Sequence, residues 1–74
     1  MSNVVLYHTD GCHLCEEAHA ILIEAGLVEQ LTLRDIVDDA QLIERFQTSI
    51  PVVEFSTGQL LFWPFSLNDI FKAI

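Results

Sequence analysis

The fold is decided by the stretch Val4-Val5-Leu6-Tyr7-His8-Thr9-Asp10-Gly11-Cys12-His13-Leu14-Cys15. Its first part, from Asn3 to Tyr7, is short, apolar and rich in β-branched residues, which predicts a strand buried on both faces. A polar turn that contains a glycine follows this strand. From Cys12 onward the apolar residues recur with helical spacing, which indicates a helix with one apolar face. The residues on this face are Leu14, Ala18, Ile21, Leu22 and Ala25.

The first helix is followed by a second strand and a second helix. Gly26 comes directly after the last apolar position of the first helix and suits a left-handed residue that ends it. Residues 30–36 alternate partly between apolar and polar side chains and predict a strand. Asp38 and Asp39 are candidate N-caps for a helix that runs through about Phe46.

The remaining chain predicts a hairpin and a last helix. Residues 52–55 and 59–63 are apolar runs on either side of a turn at 56–58, which is typical of two antiparallel strands. Ser66 with an acid at Asp69 resembles a capping box that opens the last helix. The predicted order is therefore β-α-β-α-β-β-α. It describes an α/β domain with a four-stranded mixed sheet and helices on both faces, in which the first two strands are parallel.

The size and charge of the chain limit what it can do. With 74 residues we expect a single domain over residues 1–74, and we expect it to be a monomer. Its net charge is −8, because eleven acidic residues face only Arg34, Arg45 and Lys72. Three separated cations cannot form the basic patch that nucleic acids or anionic membranes require. We therefore expect neither partner.

The N-terminal residues predict a cytoplasmic protein. Met1-Ser2-Asn3 carries no basic side chain, and the apolar run after it is too short for a secretory signal or a membrane span. Stable structural disulfides are rare in the cytoplasm. A C-x-x-C pair in that compartment is better interpreted as redox or metal chemistry.

The position of the two cysteines favours redox chemistry. Cys12 lies at or just before the first turn of the first helix, where the free backbone N–H groups and the helix dipole favour a thiolate. Cys15 is three residues further along on the same face, a spacing that fits a disulfide. We expect Cys12 to attack a target disulfide and Cys15, the more buried thiol, to resolve the mixed disulfide.

The two residues between the cysteines are expected to contact the substrate. His13 and Leu14 lie between the cysteines. A charged His13 would stabilise the thiolate, and the alternative is that it is an exposed residue with no specific role. Ile50 and Pro51 begin the third strand, where a proline is tolerated.

Taken together, the strand before Cys12-His13-Leu14-Cys15 and the later Thr48-Ser49-Ile50-Pro51 resemble a glutaredoxin. The chain is most similar to small bacterial glutaredoxin-like domains of unassigned function, which often carry C-H-L-C and a late W-P-F. The resemblance covers essentially the whole sequence and implies a minimal thioredoxin fold. It also implies a cis peptide bond before Pro51 and a substrate groove between Cys12 and the Ile50-Pro51 turn, where the backbone of Ile50 would pair with a peptide or with glutathione.

Three departures from typical dithiol glutaredoxins concern glutathione. Those proteins have Pro and Tyr between the cysteines, a lysine shortly before the first cysteine, and a Gly-Gly step after the hairpin. This chain has His13 and Leu14, Asp10 in place of a nearby cation, and Phe62-Trp63-Pro64 after the hairpin. Like charge at Asp10 opposes both thiolate formation and the binding of anionic glutathione. We therefore expect no bound cofactor; glutathione remains a candidate reductant although most of its usual binding features are absent.

Several alternatives stay open from the sequence. The substrate of the predicted thiol–disulfide oxidoreductase is a disulfide-containing protein or a small thiol, but the chain could instead be a redox-inactive binding module with the same fold. A metal or iron–sulfur carrier would use Cys12 and Cys15, yet structural zinc needs four ligands and the histidines are poorly spaced to complete the set. Trp63 and Phe65 belong to the core or form an apolar patch beside the cysteines.

Overall fold

The predicted strand–turn–helix opening and the later hairpin are both present in the computed structural model, which describes residues 3–74. Met1 and Ser2, the start of the segment from which we expected a cytoplasmic protein, lie outside the described residues. Within residues 3–74, no helix is long and apolar enough to cross a membrane. The elements are β1 (Val4–His8), α1 (His13–Glu24), β2 (Leu31–Asp35), α2 (Ala40–Phe46), β3 (Val52–Phe55), β4 (Leu60–Phe62) and α3 (Leu67–Ala73).

The four strands form one mixed sheet in the order β2-β1-β3-β4. β1 is parallel to β2, with His8 opposite Asp35, and antiparallel to β3, with Tyr7 opposite Val52. β4 is antiparallel to β3 and places Phe62 opposite Val52. The predicted fold class is confirmed. The register also brings the end of β1, the end of β2, the start of β3 and the end of β4 to the same edge of the sheet.

The two faces of the sheet are covered by different helices. Side chains alternate along β1, so Val4 and Leu6 face α1 and α3, whereas Tyr7 faces α2. On the first face, α1 contributes Ala18 and Leu22, which are fully buried. The buried residues of that face are completed by Leu27, Val53, Phe55, Phe65 and Ile70, and those of the other face are Tyr7, Ile36, Leu42, Phe46 and Val52.

Helix α1 ends where the sequence predicted a left-handed glycine. Gly26 has φ +82°. Its N–H donates to the carbonyl of Ile23 at 2.9 Å, and the N–H of Leu27 donates to the carbonyl of Leu22 at 3.2 Å. This is the paired hydrogen-bond pattern of a Schellman motif, and it turns the buried Leu27 back onto the core.

The caps of α2 and α3 follow the predictions, whereas the segment before α2 differs from them. Asp39 is the N-cap of α2 and accepts from Gln41 N–H at 2.8 Å; Asp38 lies instead in a short 3-10 helix at Ile36–Asp38. The second strand ends at Asp35, one residue earlier than predicted, since the Asp35 carboxylate accepts from Val37 N–H and turns the chain. In α3, the Ser66–Asp69 capping box is formed in both directions.

We expect the stability of the fold to depend on Leu22 far more than on its neighbour Ile23. Leu22 is fully buried between α1 and the sheet, whereas Ile23 is 46% exposed. Leucine and isoleucine side chains are of the same size, so substitution by alanine removes the same number of atoms at either position. Leu22→Ala removes them from a closed core and should cost about 2–5 kcal/mol in the free energy of unfolding. Ile23→Ala should cost well under half of that. Denaturant unfolding of the two oxidised variants measures the difference, and equal losses would contradict this account of the core.

Tyr7 carries the one long-range side-chain hydrogen bond of the α2 face. Its hydroxyl donates to a Glu54 carboxylate oxygen at 2.6 Å, and its ring stacks on Phe46 with centroids 4.8 Å apart. Burial, and then the hydrogen bond and the negative charge of Glu54, raise the pKa of Tyr7 above its usual value of 10.0. The folded protein therefore retains the phenol proton at pH values where the unfolded chain has lost it.

Titration of Tyr7 provides a direct check, since it is the only tyrosine in the chain. The phenolate absorbance should rise with a midpoint above that of the denatured protein. Stability should be unaffected by this group below pH 10 and should fall as the pH rises through the folded-state pKa. Glu54→Gln should lower the midpoint without bringing it to the unfolded value, because burial is the larger cause of the shift. An unchanged midpoint in that variant would contradict the assigned role of Glu54.

Candidate active site

The two cysteines are placed by the junction between β1 and α1. Cys12 is the N-cap of α1 in extended conformation, and Cys15 is in the first turn of the helix. The two form a disulfide, with their Cα atoms 5.2 Å apart. The backbone N–H of Cys15 donates to the Cys12 sulfur at 3.1 Å. The N-terminus of α1 is therefore directed at Cys12 by an actual hydrogen bond and by the helix dipole.

The environments of the two sulfurs differ. Cys12 is half-buried, whereas Cys15 is only 4% exposed and faces the core side of α1. A thiolate at Cys12 would be stabilised by the N–H groups at the start of the helix. A thiolate at Cys15 would lose solvation through burial. The arrangement can support a nucleophilic thiol at Cys12 and a less accessible thiol at Cys15.

The residues between the cysteines point outward. The His13 side chain is 86% exposed, and its Nε2 lies 3.8 Å from a carboxylate oxygen of Glu17, one turn along α1. Leu14 is 44% exposed, which is unusual for a residue on the predicted apolar face of a helix. His13 is thus held only loosely, by an exposed contact with Glu17 that contributes little to stability. Both side chains are accessible to a molecule that approaches the disulfide.

Ile50 and Pro51 reach the same edge of the sheet as the cysteines. Pro51 is fully buried and Ile50 half-buried directly before β3, whose first residue Val52 is opposite Tyr7 of β1. The Ile50–Pro51 peptide bond is cis. The Trp63–Pro64 bond, which follows β4 at this edge, is also cis; no local signal in the sequence indicated it, because X-Pro bonds are usually trans.

The aromatic pair after β4 belongs mainly to the core. Trp63 and Phe65 contact edge to face, with ring centroids 5.1 Å apart, and Phe65 is only 7% exposed. The core interpretation is therefore right for Phe65, while Trp63 is half-buried. An apolar surface does exist near this edge, but it is formed by Phe62, which is 50% exposed.

A cavity of about 330 Å³ opens beside the disulfide on the side of β2. It lies between the N-terminal half of α1 and the β1–β2 edge, so Ile50, Pro51, His13 and Leu14 are not in its wall. The sequence suggested His8 and His19 only as potential metal ligands. The spacing of four residues between Cys15 and His19 does indicate that these two share one helix face. The residues of the wall are Leu6, His8, Thr9, Asp10, Gly11, Cys12, Cys15, Glu16, His19 and Leu33.

The charge around the site is mainly negative. Acidic side chains follow β1, open α1 and follow β2, and Arg34, which lies 3.4 Å from an Asp39 carboxylate oxygen, is the basic residue of this region. Within residues 3–74, no three His, Cys, Asp or Glu side chains are arranged to hold a metal ion. The acidic residues of these three segments are Asp10, Glu16, Glu17, Asp35, Asp38 and Asp39, of which Asp10 and Glu16 line the cavity beside the cysteines.

Comparison with known proteins agrees with this geometry. The family model described as Glutaredoxin-like domain (DUF836) matches residues 3–74. The crystal structure of the structural genomics target XcR50 from X. campestris is 31% identical, with a TM-score of 0.84, covering 96% of this chain and 97% of that chain. The solution structure of the same target is also 31% identical, with a TM-score of 0.82, and the match covers 97% of this chain and 95% of that chain. No functionally curated protein matches the sequence.

A more distant structure shares the fold alone. The solution structure of protein Ne2328 from Nitrosomonas europaea is 22% identical, with a TM-score of 0.78, and the match covers 99% of this chain and 91% of that chain. The sheet and helices described above therefore recur in proteins whose sequences have diverged widely.

The difference between the two sulfurs predicts a difference in labelling. After reduction, iodoacetamide should alkylate Cys12 first, because it is more accessible and its thiolate is stabilised by α1. In Cys15→Ser the remaining Cys12 should still be alkylated rapidly. In Cys12→Ser the remaining Cys15 should be alkylated more slowly at pH 7, by about tenfold or more. Mass spectrometry of the alkylated peptides measures both rates. Equal rates at the two positions would contradict the assignment.

Proposed function

The chain belongs to the glutaredoxin-like domain family, and we propose that it is a thiol–disulfide oxidoreductase in which Cys12 is the nucleophile and Cys15 the resolving thiol. The observation that carries the proposal is the Cys12–Cys15 disulfide at the N-terminus of α1, with Cys15 N–H bonded to the Cys12 sulfur. A structural disulfide has no need of such a position. A reactive one does, because a thiolate must be stabilised each time the bond opens.

The reaction consists of two exchanges. The Cys12 thiolate of the reduced protein attacks one sulfur of a target disulfide, and the other target sulfur leaves as a thiolate. Cys15 then loses its proton and attacks the Cys12 sulfur, which releases the second target thiolate and forms the internal disulfide. The target has gained two electrons and two protons, and an external dithiol or two thiols must reduce the Cys12–Cys15 pair again.

The surroundings of Cys12 support a protein or a small disulfide without strong negative charge as the substrate. Exposed Leu14 and His13 lie on one side of the disulfide, and Ile50 and Pro51 lie at the same edge of the sheet. We propose that these four residues contact the substrate. The acidic side chains around the site repel anions such as glutathione, so glutathione is a weaker candidate for the electron donor than a dithiol protein.

Trapping of the intermediate tests this function. Reduced Cys15→Ser cannot resolve a mixed disulfide. With a substrate made of two identical peptides joined by a disulfide, it should therefore end with one peptide bound to each molecule of protein. The wild-type protein should instead consume the substrate and end as the internal disulfide. Mass spectrometry after acid quenching detects each product.

Cys12→Ser is the matched control, because it removes the proposed nucleophile and keeps the buried thiol. It should form an adduct at least tenfold more slowly than Cys15→Ser. The proposal would be wrong if the wild-type protein left the substrate unchanged, or if the two variants formed adducts at the same rate.

A further inference from the structure

His19 shares a helix face and a cavity with the resolving cysteine. It follows Cys15 by four residues in α1, so the two side chains are neighbours on the helix surface, with Cβ atoms about 5–6 Å apart. His19 is half-buried, and it lines the same cavity of about 330 Å³ as Cys12 and Cys15. The steps of the proposed function have so far assigned no role to it.

The resolving step has a requirement that the helix N-terminus does not meet. The Cys15 N–H donates to the Cys12 sulfur, so the start of α1 stabilises the Cys12 thiolate. Cys15 itself is 4% exposed, and burial disfavours its charged form. A thiol must lose its proton to attack a disulfide. A base that reaches Cys15 from the cavity beside the disulfide would remove this obstacle.

Two acidic residues and a second histidine line the cavity with His19. From α1 itself Glu16 lies one turn earlier, and Asp10 comes from the preceding loop. From β1 His8 lies in the wall as a second titratable group. From β2 the neighbour is Leu33, which is apolar. Histidine changes its protonation near neutral pH, so it can take up a proton and return it under cellular conditions.

Resting on the proposed function, we propose that His19 accepts the proton of the Cys15 thiol as Cys15 attacks the mixed disulfide, directly or through one water in the cavity. The Cys15 sulfur bonds to the Cys12 sulfur, the bond from Cys12 to the target breaks, and the target leaves as a thiolate. The imidazolium then gives its proton to the departing thiolate or to solvent. When the internal disulfide is later reduced, His19 takes up a proton from the attacking thiol or from solvent and gives it to Cys15 as Cys15 leaves. His8 also lines the cavity, but it lies at the end of β1 and does not share the helix face of Cys15.

Rapid-quench kinetics of His19→Gln separate the two exchanges. Glutamine retains the helix propensity and the approximate size of the side chain but cannot carry the proton. At pH 7, the formation of the mixed disulfide with a peptide disulfide should stay within about twofold of wild type. Its resolution should slow about 10²-fold or more, the lower end of the usual contribution of a general base, so that the adduct accumulates.

Two further measurements distinguish proton transfer from a structural role. The slowing should decrease as the pH rises, because hydroxide then ionises the thiol, and added imidazole should restore part of the rate through the cavity. Glu24→Gln, at the exposed last residue of α1 and outside the cavity, should behave like wild type in both exchanges. A His19→Gln defect that is constant with pH and is not reversed by imidazole would overturn the proposal.

The remaining outcomes separate this inference from the function on which it rests. If wild type and His19→Gln both resolve the adduct at the same rate, the role of His19 is wrong while the oxidoreductase proposal stands. If His8→Gln slows resolution and His19→Gln does not, the base is assigned to the wrong histidine. If wild type forms no mixed disulfide at all, the proposed function fails and the inference fails with it.

Discussion

The site depends on the burial of one face of α1 against the central strand β1. Ala18 and Leu22 are fully buried on Val4 and Leu6, and this contact determines where the helix begins relative to the end of the strand. Because β1 ends at His8 and α1 begins at His13, only a short turn separates them, and Cys12 becomes the N-cap. A shift of the helix along the strand would remove the N–H group that now bonds to the Cys12 sulfur. The chemistry at the cysteines is thus tied to core packing two turns away.

The same contact makes the two cysteines unequal. A helix that lies on a sheet has one buried side and one exposed side. The spacing of three residues places Cys12 at the N-terminal end of α1 and Cys15 on its buried side. One sulfur therefore gains the helix N-terminus and access to the substrate, and the other is enclosed. This division follows from geometry alone, and it would hold for other residues between the cysteines. In the proposed function His13 and Leu14 contact the substrate, whereas the position of the helix decides which sulfur is the nucleophile.

Most of the fold could be predicted because the local signals agree with one another. The change from a β-branched run to helical spacing at Cys12, the stop at Gly26 and the capping box at Ser66 are each written in a few adjacent residues. Features that depend on contacts distant in sequence could not be predicted. The Tyr7–Glu54 hydrogen bond joins residues 47 positions apart, and the cavity beside Cys15 exists only because Leu33 of β2 comes alongside α1. The spacing of Cys15 and His19 was visible in the sequence, but nothing local showed that a cavity lies beside both side chains.

The disulfide lies between two surfaces of different character. Outside the cavity, Leu14 is exposed between the cysteines, and the Ile50–Pro51 segment leads into β3 at the same edge of the sheet. On the side of β2, the wall of the cavity carries imidazoles and carboxylates. A thiol–disulfide exchange needs both kinds of surroundings, since the attacked sulfur must be reached by a second molecule while protons must move to and from the enclosed thiol. In the proposed function these needs are met by different residues, so a change in the substrate-contacting side chains need not alter the cavity proposed to carry the proton.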